Sequence, residues 1–256
     1  MLNRKQKTGS MSPIKDCTAM IFAAGLGTRL KPFTDHHPKA LAVVNEKSLL
    51  ERNLEYLHGF GISQFVINTH HFADQIDAAL QKIKRADWNI VVSFEKEGPF
   101  ETGGGLAYAA QHLNHQPHPF IVMNVDILTN LDLIGMFEYH QKINPLATLA
   151  VTNRESSRQL LFDDEMRLVG WKNNKTGEQK WVDGVVEDAK PFSFSGIHII
   201  HPDIFKYMPS AGTFSMIDVY LAMAKNSLII AYDHTGDHVL DVGKPDALIK
   251  AADIFG

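Results

Sequence analysis

Apolar and polar positions follow two rhythms along this chain. Short apolar runs bounded by polar or glycine residues occur at 18–24, 64–68, 89–94 and 120–124, which is the length and enclosure of buried strands. Between them the apolar spacing is helical. Over 48–60, Leu49, Leu50, Leu54, Leu57 and Phe60 recur on one face, with Gly61 placed as a C-cap, and helices are also predicted over 73–83 and 106–113. Strands alternating with such helices predict βαβ units and a mostly parallel sheet, with ligands expected beyond the carboxyl ends of the strands. The loops after Ala24, Phe94 and Asn124 all fall on that edge.

Beyond residue 145 the rhythm changes. Shorter β-like pieces at 147–152, 159–162, 168–171 and 193–200 surround the polar stretch 173–180, and helices at 215–225 and 244–255 close the chain. This pattern predicts an antiparallel portion forming the far wall of a cleft. The expected class is α/β, a Rossmann-like, mostly parallel mixed sheet flanked by helices. One domain is expected over 17–256, with a mostly parallel part over 17–145 and a second part over 146–256. Residues 1–16, polar and carrying Arg4, Lys5, Lys7 and Lys15, read as a disordered tail.

Composition narrows the function classes. With 45% hydrophobic and 21% charged residues the chain is an ordinary globular one. A net charge of −4 argues against a nucleic-acid-binding face but leaves room for a small phosphorylated ligand in a basic cleft. No apolar run is long enough to span a bilayer. The single cysteine, Cys17, cannot close an internal disulfide and reads as a buried thiol, so a cytoplasmic setting is predicted, with no nucleic-acid or membrane partner. Nothing in the pattern predicts an oligomeric state.

The densest chemistry lies in Ala23-Ala24-Gly25-Leu26-Gly27-Thr28-Arg29-Leu30-Lys31-Pro32-Phe33-Thr34, followed by Pro38-Lys39-Ala40-Leu41. Glycines directly after a buried strand let the backbone approach a ligand and aim its N–H groups at phosphate oxygens, while Arg29 and Lys39 add positive charge. The dinucleotide fingerprint is absent, because Leu30 stands where its third glycine belongs, and so is a Gly-Lys-Ser/Thr ending.

This segment resembles, at every defined position, the signature G-x-G-T-R-L-x-P-x-T and P-K-x-L of the sugar nucleotidyltransferase (NDP-sugar pyrophosphorylase) family. The resemblance implies a GT-A-like nucleotide-diphospho-sugar transferase fold with a small antiparallel sugar-binding portion. It implies that Ala24, Gly25, Leu26, Gly27 and Thr28 wrap the nucleotide. Arg29 would bind the β- and γ-phosphates and Lys39 the α-phosphate.

By the same resemblance Glu101-Thr102-Gly103-Gly104-Gly105 contacts base and ribose, through Glu101, Gly103 and Gly104, with Glu97 or Glu101 accepting hydrogen bonds. Asn124, Ser195 and Gly196 would touch the sugar. The lysine for the sugar phosphate stays open among Lys172, Lys175 and Lys190. Asp126 ends an apolar strand and Asp241 lies in Leu240-Asp241-Val242-Gly243-Lys244-Pro245. Two carboxylates from distant parts of the chain, completed by substrate phosphates, suit Mg²⁺, which takes hard oxygen ligands. Asn124-Val125-Asp126 departs from the family's commoner Asn-Gly-Asp but keeps the carboxylate. A histidine metal site at His112, His115 and His118, or at the pairs His36-His37 and His70-His71, is disfavoured because these spacings do not hold one face.

The implied reaction joins a nucleoside triphosphate, UTP or GTP, to a sugar 1-phosphate and releases pyrophosphate. The chain is similar to the N-acetylmuramate 1-phosphate uridylyltransferase branch, with mannose-1-phosphate guanylyltransferases close by. Its rivals are a glycosyltransferase that consumes an NDP-sugar and a non-catalytic nucleotide-sugar sensor. The first would bring Asp-x-Asp after the fourth strand, where Asn124 replaces one carboxylate; the second would lose Arg29 or a metal ligand.

Overall fold

A computed structural model describes residues 14–113 and 118–255. In chain order it runs β1 (Thr18–Phe22), β2 (Val43–Val44), β3 (Lys47–Ser48), α1 (Leu49–His58), β4 (Gln64–Thr69), α2 (Ala73–Ile83), β5 (Asn89–Phe94) and α3 (Glu101–Tyr108). There follow β6 (Phe120–Asn124), β7 (Ile127–Thr129), α4 (Leu133–Ile143), β8 (Ala147–Thr152), β9 (Arg158–Phe162), β10 (Leu168–Asn173) and β11 (Gln179–Trp181). The chain closes with β12 (Lys190–Ile200), α5 (Met216–Met223), β13 (Ile229–Asp233), β14 (Val239–Asp241) and α6 (Pro245–Ile254).

The main sheet has ten strands. Its path is β11-β10-β9-β12-β6-β1-β4-β5, with β8 beside β12 and β13 beside β8. β1 pairs in parallel with β4 and β6, and β4 pairs in parallel with β5, so the first part of the chain builds the predicted parallel sheet. Every residue of β1 is buried because both faces are covered. Ala19 and Ile21 join the core under α1, α2 and α4, while Met20 and Phe22 join the core under α3 and α5, as the period of two requires.

The antiparallel portion is not a separate wall. β12 spans eleven residues; Lys190, Pro191 and Phe192 pair with β9, and its later residues pair with β6 and β8. One bent strand therefore carries the sheet from its parallel part to its antiparallel part. The register shifts between Phe194 and His198, where Gly196 sits, and a bulge of this kind turns a strand.

Besides the short strands β2, β3, β7, β11, β13 and β14, which were not predicted, and a β12 that starts at Lys190 rather than 193, four features differ from the sequence reading. α3 begins at Glu101 rather than 106 and takes the three glycines into its first turns. α4 was not predicted, although Leu133, Met136, Phe137 and His140, all buried, show helical spacing behind the Asp132 cap. Gly61 does not cap α1 directly: Gly59 is the C-cap, and Gly61 follows in a left-handed conformation. The tail ends earlier than residue 16, since Ile14 is fully buried and its carbonyl accepts from the Cys17 N–H; residues 1–13 lie outside the described residues.

Candidate active site

The carboxyl ends of β1, β5 and β6 open on one cleft of about 310 Å³. Ala24, Gly25, Gly27, Thr28 and Arg29 line it after β1, Glu95 after β5, and Asn124 and Asp126 at the end of β6. Lys39, Glu101, Thr102 and Gly243 also line it. Leu26 is not a lining residue and stands 47% exposed, so of the five predicted loop residues it alone is off the cleft.

Local structure explains how Lys39 reaches the cleft. Gly27 has a φ of 62°, and a Cβ there would lie 2.8 Å from the Thr34 methyl and 2.9 Å from the Lys39 Cβ. The missing side chain lets the loop fold over the Lys39 stem, and Thr34 Oγ1 fastens it by donating to the Gly27 carbonyl at 3.0 Å. Lys39 is buried to 8% exposure and its ammonium ion-pairs with Asp126.

A second ion pair lies alongside. Arg29 Nη2 stands 3.7 Å from Asp241 Oδ2. Gly243 makes room for it: a Cβ there would meet Asp241 Oδ1 at 2.6 Å and Arg29 Nη2 at 2.7 Å. The predicted carboxylate pair is brought together through β7 and β14, which place Asp241 opposite Ile127, and the Val242 N–H donates to the Asp126 carbonyl at 2.8 Å. The Asp126 turn is held from below, where Asn53 Nδ2 donates to the Val125 carbonyl at 2.8 Å. Asp241 Oδ1 is buried without a hydrogen-bond partner.

Other predicted residues stand elsewhere. Gly103 and Gly104 do not line the cleft. Their N–H groups donate to the Phe214 carbonyl at 2.9 and 3.2 Å, and a Cβ on Gly104 would come 2.1 Å from the Gly212 carbonyl oxygen. Their close approach is to protein, not to a base. Ser195 is fully buried, its hydroxyl 2.8 Å from His234 Nε2, and cannot touch a sugar directly. Gly196 packs behind Asn124, where a Cβ would meet Asn124 Nδ2 at 2.9 Å. Of the three residues assigned to the sugar, only Asn124 reaches the cleft.

Glu101 lines the cleft and Glu97 does not. Glu101 adopts a φ of 57°, a conformation that costs a non-glycine residue on the order of 1 kcal/mol or more and gathers at functional sites. The sequence reading missed Glu95. It is 1% exposed, accepts from Asn68 Nδ2 at 2.6 Å and from the Phe100 N–H at 2.9 Å, and so fixes the turn leading to Glu101. Parity along β5 held the signal, since Glu95 continues the inward face of buried Ser93.

A second cavity, about 630 Å³, adjoins the first and shares Arg29 and Asp241 with it. Of the three candidate lysines only Lys175 lines it; Lys190 is ion-paired to Asp164 at 2.8 Å. Arg154 and Arg158 line it too, and the sequence reading missed both.

The remaining titratable candidates are structural. Burial and the Asp16 charge push the Cys17 thiol up to about 12, which leaves it protonated and unreactive. His37 bonds Gln75 and His70 bonds the Glu95 carbonyl, and no three metal-ligating side chains cluster among the described residues. His115 lies outside the described residues.

A family model described as nucleotidyl transferase matches residues 18–160. An N-acetylmuramate alpha-1-phosphate uridylyltransferase of Caulobacter vibrioides is 30% identical, covering 91% of this chain and 94% of the relative. A mannose-1-phosphate guanylyltransferase catalytic subunit beta of Drosophila pseudoobscura pseudoobscura is 28% identical over 89% of this chain, which spans 59% of that longer relative. The crystal structure of HddC from Yersinia pseudotuberculosis complexed with GMP-PN superposes with a TM-score of 0.74 at 23% identity, covering 94% of this chain and 100% of HddC, and shares the fold. The matched segment runs from β1 into β9 and contains the loop, both basic side chains and Asp126; the chain belongs to the nucleotidyl transferase family.

Proposed function

We propose that the protein condenses a nucleoside triphosphate, UTP or GTP, with a sugar 1-phosphate, giving an NDP-sugar and pyrophosphate. The observation that carries this is the junction of two cavities at Arg29 and Asp241. A nucleotide in the first and a phosphorylated sugar in the second would meet at the α-phosphate. An oxygen of the sugar phosphate attacks the α-phosphorus, the bond to the β-phosphate bridging oxygen breaks, and pyrophosphate leaves. The attacking phosphate is already anionic, so no general base is required, and catalysis consists of alignment and charge neutralisation.

Lys39 and Arg29 supply that neutralisation by turning from their carboxylates to the phosphates. Asp126 and Asp241 would then hold Mg²⁺, a fit supported by the unpartnered Asp241 Oδ1 and by a pair of carboxylates that leaves coordination positions for phosphate and water. When bound, the ion supplies a hard positive centre for phosphate oxygens. Glu95 holds the turn that places Glu101 and Thr102 on the cleft. The single cysteine supports a cytoplasmic setting.

The test is pyrophosphate release from UTP, GTP, CTP, dTTP and ATP against a panel of sugar 1-phosphates, with and without Mg²⁺. Metal-dependent release with one pair is expected. Silence across the panel from folded, nucleotide-binding protein overturns the reading.

A further inference from the structure

Two residues of β12, Ser195 and Gly196, have no ladder partner. Lys190, Pro191 and Phe192 pair with β9, Ser193 and Phe194 pair with β8, and the strand rejoins β6 at Ile197 and β8 at His198. Where the ladder lapses, side chains take over the bulge. The hydroxyl of fully buried Ser193 donates to the Arg154 carbonyl at 2.7 Å, and Arg154 Nη2 donates in return to the Phe194 carbonyl at 3.1 Å. The hydroxyl of Ser195, also fully buried, lies 2.8 Å from His234 Nε2.

His234 directly follows β13, on the far side of β8 from β12, and its N–H donates to the Val151 carbonyl at 3.0 Å. Its Nδ1 lies 3.4 Å from Asp237 Oδ2, a charge contact rather than a formed hydrogen bond. The carboxylate favours the tautomer with the proton on Nδ1, which leaves Nε2 to accept from the Ser195 hydroxyl. Burial holds the imidazole below its ordinary value against the pull of Asp237 and Asp233, with the Arg154 charge adding to it, so His234 is a neutral acceptor at pH 7. The contacts run in the order nucleophile, base and orienting acid. With Ser195 at 0% and His234 at 5% exposure, no substrate reaches them, and the constellation is a brace rather than a reaction centre.

What it braces faces both cavities. Arg154 and Phe194 line the second one. The Phe194 carbonyl holds the guanidinium through Nη2, while the buried Nε–H has no partner among the described residues. Gly196 fills the space behind Asn124, which lines the first cavity. A bulge that shifted would therefore release Arg154 and loosen Asn124 together, at the side of the site assigned to the sugar.

We propose that Ser195 and His234 are positioning residues for the sugar 1-phosphate: by fixing the bulge of β12 they hold the Arg154 guanidinium at the second cavity. This rests on the reaction proposed above and adds to it two residues that never touch substrate. A planar, donor-only guanidinium pays off at a phosphate only when its orientation is set beforehand, and here the Phe194 carbonyl sets it.

The test is a double-mutant cycle between Ser195→Ala and Arg154→Gln in the full chain, read as KM and kcat for pyrophosphate release with the accepted nucleotide and sugar 1-phosphate. Ser195→Ala should raise KM for the sugar 1-phosphate by about tenfold on its own and by less than about twofold beside Arg154→Gln, with KM for the nucleotide little changed in both. His234→Leu should reproduce the Ser195→Ala effect. His234→Gln, whose amide oxygen can accept from Ser195 in place of Nε2, should stay near wild type. Lost stability alone would lower the active fraction and leave both KM values unmoved. An equal factor in both backgrounds, an equal rise in nucleotide KM, or an unchanged sugar KM in folded Ser195→Ala would overturn the inference and leave the reaction standing. Should Ser195→Ala fail to fold, the two His234 variants decide, and equal sugar KM values in them overturn the inference. Absence of pyrophosphate release by folded, nucleotide-binding wild-type protein would mark failure of the reaction itself, and the positioning role would fall with it.

Discussion

Two glycine-rich segments contribute to the same cleft, and Gly25 in the first answers a demand opposite to that on the three glycines of the second. Around Gly25 the space is open: an added Cβ meets nothing within 4 Å, and the loop faces the cavity. Around Gly103, Gly104 and Gly105 there is no space at all, since a Cβ would strike the Phe214 ring at 2.4 Å, the Gly212 carbonyl at 2.1 Å and Glu95 Oε1 at 2.6 Å. The first segment leaves room for a ligand. The second lets α3 press against the 212–214 turn and against buried Glu95, so that Glu101 and Thr102 are presented by a rigid support. Gly25 thus stands at an open front facing the cavity, while Gly103, Gly104 and Gly105 belong to a packed back that holds the front in place.

The largest effect that separates them is on the front. Arg29→Ala should lower kcat by about 10³-fold, the scale of losing one preorganised charge at the transferring phosphate, with a melting temperature close to wild type because Arg29 is largely exposed and its ion pair is a surface one. Asp126→Ala should match it in rate. A rate near wild type in the purified, folded Arg29 variant would remove the residue from the chemistry.

The back predicts the reverse. Gly104→Ala places a methyl group against a backbone carbonyl that has no rotamer to change, and overpacking of this kind costs about 1–3 kcal/mol. Urea unfolding should show that loss. Nucleotide affinity, once corrected for the unfolded fraction, should be little changed, and a selective loss of affinity with stability intact would restore Gly104 to the binding surface.

pH separates the two regions in a second way. Behind the cleft, burial holds the His198 imidazole down to about 3, with its Nδ1 2.6 Å from the Tyr220 hydroxyl. Burial, aided by nearby His201, holds His140 down to about 4. Both are neutral in the fold, while in the unfolded chain they titrate near the ordinary value of 6.5. Above pH 6.5 neither state takes a proton and the pair contributes nothing. As pH falls from there toward 4, only the unfolded chain is protonated, so stability drops by up to about 1.4 kcal/mol per pH unit for each histidine. Urea titrations at pH 7, 6 and 5 should give this slope in the Arg29→Ala variant as in the wild type, and a flatter one in His140→Gln.

How far the sequence led follows the same division. The parallel strands were legible because continuous apolar runs have few other uses, and the front loop because its chemistry lies in consecutive residues. Glu95, Arg154 and Arg158 were not, since each is defined by what the register sets beside it: Asn68 and the Phe100 N–H for the first, the bent strand β12 for the second, the Asn173 turn for the third. The role of Gly103 and Gly104 was misjudged because a tight approach looks the same in sequence whether the neighbour is a base or residue 214.

The smallest effect is the most discriminating. Gly25→Ala adds one methyl group to a loop that leaves it unopposed, and Gly25 is outside the left-handed conformations recorded for Gly27 and Gly196. Stability should therefore stay within about 0.5 kcal/mol of wild type. The methyl group projects instead into the approach path of the nucleotide, where the backbone must come close to the ligand. KM for the nucleoside triphosphate should rise by about tenfold with kcat nearly preserved, the mark of an interaction lost equally from ground and transition states. Should stability fall while KM holds, Gly25 would belong with the packed glycines, and the open front would be closed by contacts made only in solution.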